Sequence, residues 1–170
     1  YSRESKGATD HISLSSIEGE DIRKIIESGE NDRLEFKSTL RWNLKSGKAG
    51  KEIELASLKT LAAFLNSDGG TLLIGVGDDG ELLGVEPDGF DNDDKYLRHF
   101  GSLFNQHIGL EFSEYVEFAL KEIGETKIFM VNCSRSPHPV FLKHKKEEQF
   151  FIRSGPSSRQ LTTSQVIEYL

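Results

Sequence analysis

A chain of 170 residues suits one ordinary domain and is short for two. With 36% hydrophobic and 29% charged residues it has the composition of a folded globular protein. Its 21 basic and 28 acidic residues leave a net charge of −7, which excludes a protein that coats nucleic acid by bulk charge, because such binding needs many Lys/Arg–phosphate contacts. Any phosphate contact must come from a local patch. No run of 18 apolar residues is present, so no membrane-spanning helix is expected. The single cysteine, Cys133, excludes an internal disulfide framework and a multi-cysteine zinc site. A reducing, cytoplasmic setting is the expectation.

Residues 1–16 are polar with no apolar stretch and read as a disordered tail or linker; residues 17–170 read as the domain. Tyr1 at the start and Leu170 inside an expected helix read as a piece of a longer protein fused to further domains. Ile17, Ile22, Ile25 and Ile26 predict a short amphipathic helix stopped at Gly29. Alternation over 33–37 predicts a half-buried strand that turns Leu34 and Phe36 inward and Glu35 and Lys37 outward. A basic loop follows, then a helix over 51–65 that is apolar around most of its circumference and therefore deeply buried. Residues 71–77 predict a central strand, and Asp79-Gly80 a turn into a second strand at 82–85.

Asp91 or Asn92 is placed to cap a helix whose stripe runs through Leu97, Phe100, Leu103, Phe104, His107 and Ile108. Residues 115–121 and 126–133 predict a hairpin around Gly124, and 140–143 with 149–153 another across a charged turn. Thr162 to Gln165 match a capping box before a last helix. The class is α+β: a mixed, hairpin-rich sheet of about seven strands with four flanking helices.

Six glycines crowd residues 69–84, yet neither a Walker phosphate loop nor a Rossmann fingerprint is formed. Nucleotide binding by either device is disfavoured, and the glycines read as turns, with Gly75 and Gly77 open to a close backbone approach. The five histidines show no metal-ligand spacing; His107 reads as a hydrogen-bonded core residue, and His138 and His144 as solvated loop residues. Glu35 on its strand, Glu30 five residues earlier and Asp78 after the glycine strand are the carboxylates of interest. If they converge they make a hard-cation site; otherwise Glu35 lies on a solvated strand face. Arg135, Lys143, Lys145, Lys146 and Arg153, interleaved with Phe141, Phe150 and Phe151, form the one basic stretch suited to phosphate.

Three segments together resemble the Schlafen-type AlbA-like domain. They are Glu30-Asn31-Asp32-Arg33-Leu34-Glu35-Phe36-Lys37, Ala63-Phe64-Leu65-Asn66-Ser67-Asp68-Gly69-Gly70, and Leu73-Ile74-Gly75-Val76-Gly77-Asp78-Asp79-Gly80 with Gly84-Val85. The resemblance implies a mixed sheet with flanking helices. In animal members it implies a metal-dependent ribonuclease acting on transfer and ribosomal RNA, whose carboxylates match Glu30, Glu35 and Asp78, with Mg²⁺ or Mn²⁺ as cofactor. Asn31 stands for the family's usual serine, and Ser67 for its usual threonine. Microbial members are described as regulators or appendages of larger proteins and are labelled DNA-binding or ATP-binding.

Two expectations therefore stand side by side. One is an endoribonuclease using Glu30, Glu35 and Asp78, with Lys37, Arg135, Lys143, Lys145, Lys146 and Arg153 along the RNA. The other is a non-catalytic nucleic-acid-binding module of a regulator that uses the same basic residues. An ATP-binding domain ranks behind both, for want of a phosphate loop. Because RNA-cutting members carry two such lobes, a homodimer is expected as well.

Overall fold

The computed structural model describes residues 13–170, so most of the expected linker lies outside the described residues. Leu14, within a 3₁₀ turn at Leu14–Ser16, is buried against Ile22 and Ile26, so ordered packing begins before Ile17. Helix α1 (Gly19–Glu27) starts with a capping box between Glu18 and Asp21 and buries Ile22 and Ile26. Helix α2 (Lys51–Leu65) is the central helix and runs through the main core. Helix α3 (Asp93–His107) is capped by Asn92 and packs on α2, turning Tyr96, Phe100, Leu103 and Phe104 inward. Helix α4 (Thr163–Tyr169) carries the expected capping box of Thr162 and Gln165.

Among the described residues the strands form three sheets rather than one. Strands β1 (Leu34–Lys37), β4 (Gly70–Ile74), β6 (Thr126–Cys133) and β5 (Val116–Ile123) make a mixed sheet in the order β1-β4-β6-β5. β1 runs parallel to β4, with Glu35 opposite Leu72, and the remaining pairs are antiparallel. Strands β7 (Phe141–His144), β8 (Glu147–Ser154) and β9 (Ser157–Leu161) form a meander that packs on α2. Strands β2 (Trp42–Asn43) and β3 (Lys48–Ala49) make a small hairpin inside the loop expected after β1.

Two expectations are corrected. β4 stops at Ile74, because Gly75 adopts φ +95 and its amide turns to the Lys37 carbonyl. A Cβ on Gly75 would sit 2.9 Å from the Gly84 carbonyl carbon, so this crossing requires glycine. The expected strand at 82–85 is reduced to an isolated bridge between Val76 and Leu82.

Candidate functional site

Gly29, with φ +78, ends α1 and turns the chain toward β1. The Asn31 side chain accepts the Arg33 amide at 2.7 Å, and an isolated bridge joins Asn31 to Leu34. This tight turn folds Glu30 back along β1, where its Oε2 accepts the Phe36 amide at 3.0 Å. β1 is an edge strand, so Glu30 serves an amide that no neighbouring strand takes. The Glu30 carboxyl also stands beside that of Glu35. Burial, then that neighbouring carboxyl, raises the Glu35 pKa from 4.5 to about 7, and Arg153 and Lys37 oppose the shift without cancelling it. Two of the expected carboxylates therefore meet, and Glu35 keeps its proton to a higher pH than a free carboxyl does.

Asp78 does not join them. It sits exposed in the turn closed by the Gly80 amide on the Gly77 carbonyl. Among the described residues no three His, Cys, Asp or Glu side chains stand close enough together to hold a metal ion. Glu35 Oε1 instead meets Arg153 Nη1 at 2.9 Å, and Lys37 Nζ lies 3.9 Å from its other oxygen. Glu30 and Glu35 fit half of a hard-cation site, and the three residues in this arrangement do not complete one.

Arg153 was expected to face nucleic acid, and that is corrected: its side chain is 2% exposed. Besides Glu35, its guanidinium donates to the carbonyls of Asn31 and Asp32 and to Ser158 Oγ. It also lies over the Phe64 ring. With all three nitrogens engaged, Arg153 is a clamp between β8 and the turn before β1. Lys37 is partly exposed beside Glu35. Arg135 is exposed near Asp68, 3.5 Å away, beyond the C-terminal end of α2.

The other basic residues collect at the opposite end of α2, about 20 Å away along a 15-residue helix. Lys143 lies on β7, and Lys145 and Lys146 form the β7–β8 turn; all three are exposed. They border a cleft of about 840 Å³ closed by Lys51 and Leu55 of α2 and His107 of α3. His144 was expected to be solvated in a loop; it lies half-buried on β7 in this cleft. His107 is buried as expected, with Nδ1 2.7 Å from the Lys143 carbonyl.

A family profile described as Schlafen, AlbA_2 matches residues 30–162. The chain belongs to this family. No curated protein matches it significantly. Its structure is similar to the DIP2311 protein of Corynebacterium diphtheriae, with 17% identity and a TM-score of 0.58 over 87% of this chain. That match spans only 27% of the Corynebacterium chain. It is also similar to the N-terminal domain of a RecG-related protein from Nitrosomonas europaea, with 21% identity, a TM-score of 0.52, and coverage of 86% of this chain and 94% of that domain. At these identities the likenesses establish the fold.

Within this Schlafen AlbA_2 domain, three structural side chains escaped the sequence reading. Asp88, expected in an acidic loop, is 1% exposed and accepts the amides of Leu40, Arg41 and Trp42. Asn66, quoted within the family motif, bonds Val140 on both backbone sides and the Phe151 carbonyl, joining α2 to β7 and β8. Glu54 of α2 bonds His99 of α3. A polar residue at the end of an apolar helix was the available signal for Asn66; for Asp88 and Glu54 the partners lie more than 40 residues away, so local pattern holds none.

Proposed function

We propose that this domain binds nucleic acid through the β7–β8 hairpin. The observation that carries the reading is the grouping of exposed Lys143, Lys145 and Lys146 beside Lys51 at the mouth of the cleft. Four ammonium groups on one rim, with the carboxylates of Glu52, Glu147 and Glu148 against them, leave a locally positive patch on an acidic protein. Membership in the Schlafen AlbA_2 family, and the likeness to a domain of a RecG-related protein, support it. The hairpin turn is rigidly based, since β7 is tied to α2 through Asn66 and to α3 through His107. We read the domain as a module of a longer regulator-like chain, in keeping with its match to 27% of the Corynebacterium protein.

The test is fluorescence anisotropy with labelled transfer RNA and duplex DNA. The Lys143→Ala/Lys145→Ala/Lys146→Ala variant should weaken binding at least about tenfold, each phosphate contact being charge-assisted. Equal binding by variant and wild type would refute the reading.

A second reading has one observation behind it, the Glu30 carboxyl beside a Glu35 whose own pKa is raised. It is metal-dependent cleavage of structured RNA, with Mg²⁺ or Mn²⁺ held by Glu30, Glu35 and Asp78. It requires Asp78 to leave its turn and Glu35 to share its oxygens between the ion and Arg153. Discrete transfer RNA fragments formed with Mn²⁺, abolished by EDTA and by Glu35→Gln, would establish it. Transfer RNA left intact under both conditions would exclude it.

A further inference from the structure

Three features of the cleft go beyond a surface patch. First, α2 begins at Lys51 behind Gly50, and no side chain caps its leading amides. Unpaired amides and the helix dipole both favour an anion there. Second, His107 is 3% exposed, lines the cleft, and has no partner for Nε2 among the described residues. Its Nδ1 faces the Lys143 carbonyl, which only accepts, so Nδ1 carries a proton and Nε2 is the ring atom left without a partner. A buried polar atom left unpaired calls for an explanation, and a missing ligand is one. Third, Lys145 and Lys146 hold φ of 49 and 65, where a two-residue hairpin turn favours Asn-Gly. Strain of this kind concentrates where a ligand is met.

We propose that this cleft is a phosphomonoester site, taking a mononucleotide or the phosphorylated end of a strand. The α2 amides and the Lys145–Lys146 turn hold the phosphate oxygens, and the unpartnered His107 Nε2 stands at the cleft wall to complete the contacts. A phosphomonoester loses its second proton at about pH 6, so near neutrality it carries about −1.5 to −2 charge for the amides and lysines to meet. A phosphodiester inside a strand carries one negative charge. The cleft volume, about 840 Å³, lies within the range of small-molecule pockets and leaves room for a nucleoside beside the phosphate.

Positive groups converge there: His144 is held below the usual imidazole range, first by burial and then by Lys145, His107 and Lys51, against Glu147. Glu52, Glu147 and Glu148 also border the cleft and work against an anion. Glu52 is the closest to the helix start, its Oε1 lying 2.6 Å from where a Gly50 Cβ would stand.

This site rests on the nucleic-acid reading only for what carries the phosphate, and one set of titrations separates the two. Adenosine monophosphate, and an internally labelled oligonucleotide with phosphorylated or hydroxyl ends, are titrated into the domain. The phosphorylated oligonucleotide should bind about tenfold tighter than its hydroxyl-ended twin, and adenosine monophosphate should shift the His107 ring resonances. Lys145→Asn/Lys146→Gly should abolish the end preference while raising Tm, because it suits the turn, so loss of binding cannot be ascribed to unfolding. Glu52→Gln should strengthen the preference. Equal binding of both oligonucleotides, lost together in the hairpin variant, overturns the phosphomonoester site and leaves the nucleic-acid reading standing. Adenosine monophosphate bound with neither oligonucleotide bound supports the site as a free-nucleotide site and overturns the nucleic-acid reading. No response to adenosine monophosphate or to the phosphorylated end overturns the site.

Discussion

Glu35 binds its proton more tightly folded than unfolded, because burial and the Glu30 carboxyl disfavour its charge. Between about pH 4.5 and about pH 7 the folded chain therefore holds more proton than the unfolded one. The contribution of Glu35 to stability is fullest below about 4.5 and is lost as the pH rises through about 7. Urea unfolding at about pH 5 and about pH 8 should show a larger loss for the wild type than for Glu35→Gln, which cannot ionise. Identical losses would place Glu35 on a solvated strand face, the bland alternative that its sequence position also allowed. The alternation over 33–37 told which way Glu35 points. It could not tell that Arg153, 118 residues later, would reach it.

Asn66 shows how one side chain governs several elements. It is 6% exposed, and its amide makes three hydrogen bonds of 2.8–3.0 Å to Val140 and Phe151. Asn66→Ala would strand the Val140 amide and two carbonyls in the interior, at about 1–3 kcal/mol for each such group. A net loss of about 3 kcal/mol is expected from denaturant unfolding, with faster hydrogen exchange at Val140. A loss below about 1 kcal/mol would mean that β7 is held by other contacts.

α2 and α3 were legible because their apolar spacing and caps are local properties, and the residues expected for α2 are those observed. The end of β4 was not legible, since it depends on Gly75 crossing Gly84. β9, a polar Ser-Ser-Arg-Gln-Leu segment, carries no alternation and becomes a strand because β8 offers it an edge. The basic hairpin was legible as a cluster. Its cleft was not, because its floor comes from the start of α2 and its far wall from the end of α3.

For the molecule as a whole, the net charge of −7 and a few exposed lysines act in opposite directions at different ranges. Repulsion of a polyanion by the rest of the surface is screened beyond about 8–10 Å at physiological salt, whereas direct lysine–phosphate contacts remain. Binding should therefore weaken with salt as a small number of released ions. A log–log slope of about −2 to −3 is expected for Lys143, Lys145 and Lys146, falling by about one in Lys145→Ala. A slope unchanged by that substitution would move the contact elsewhere. The two candidate loci, the carboxylate pair on β1 and the cleft at the start of α2, lie about 20 Å apart along α2, so an interaction map can tell them apart. The most direct measurement is an amide chemical-shift titration of the ¹⁵N-labelled domain with transfer RNA. The result expected is shifts centred on Lys143, Lys145, Lys146, Lys51 and His107, with Glu30, Glu35 and Asp78 unmoved. Shifts centred on Glu30, Glu35 and Asp78, with the hairpin silent, would contradict it.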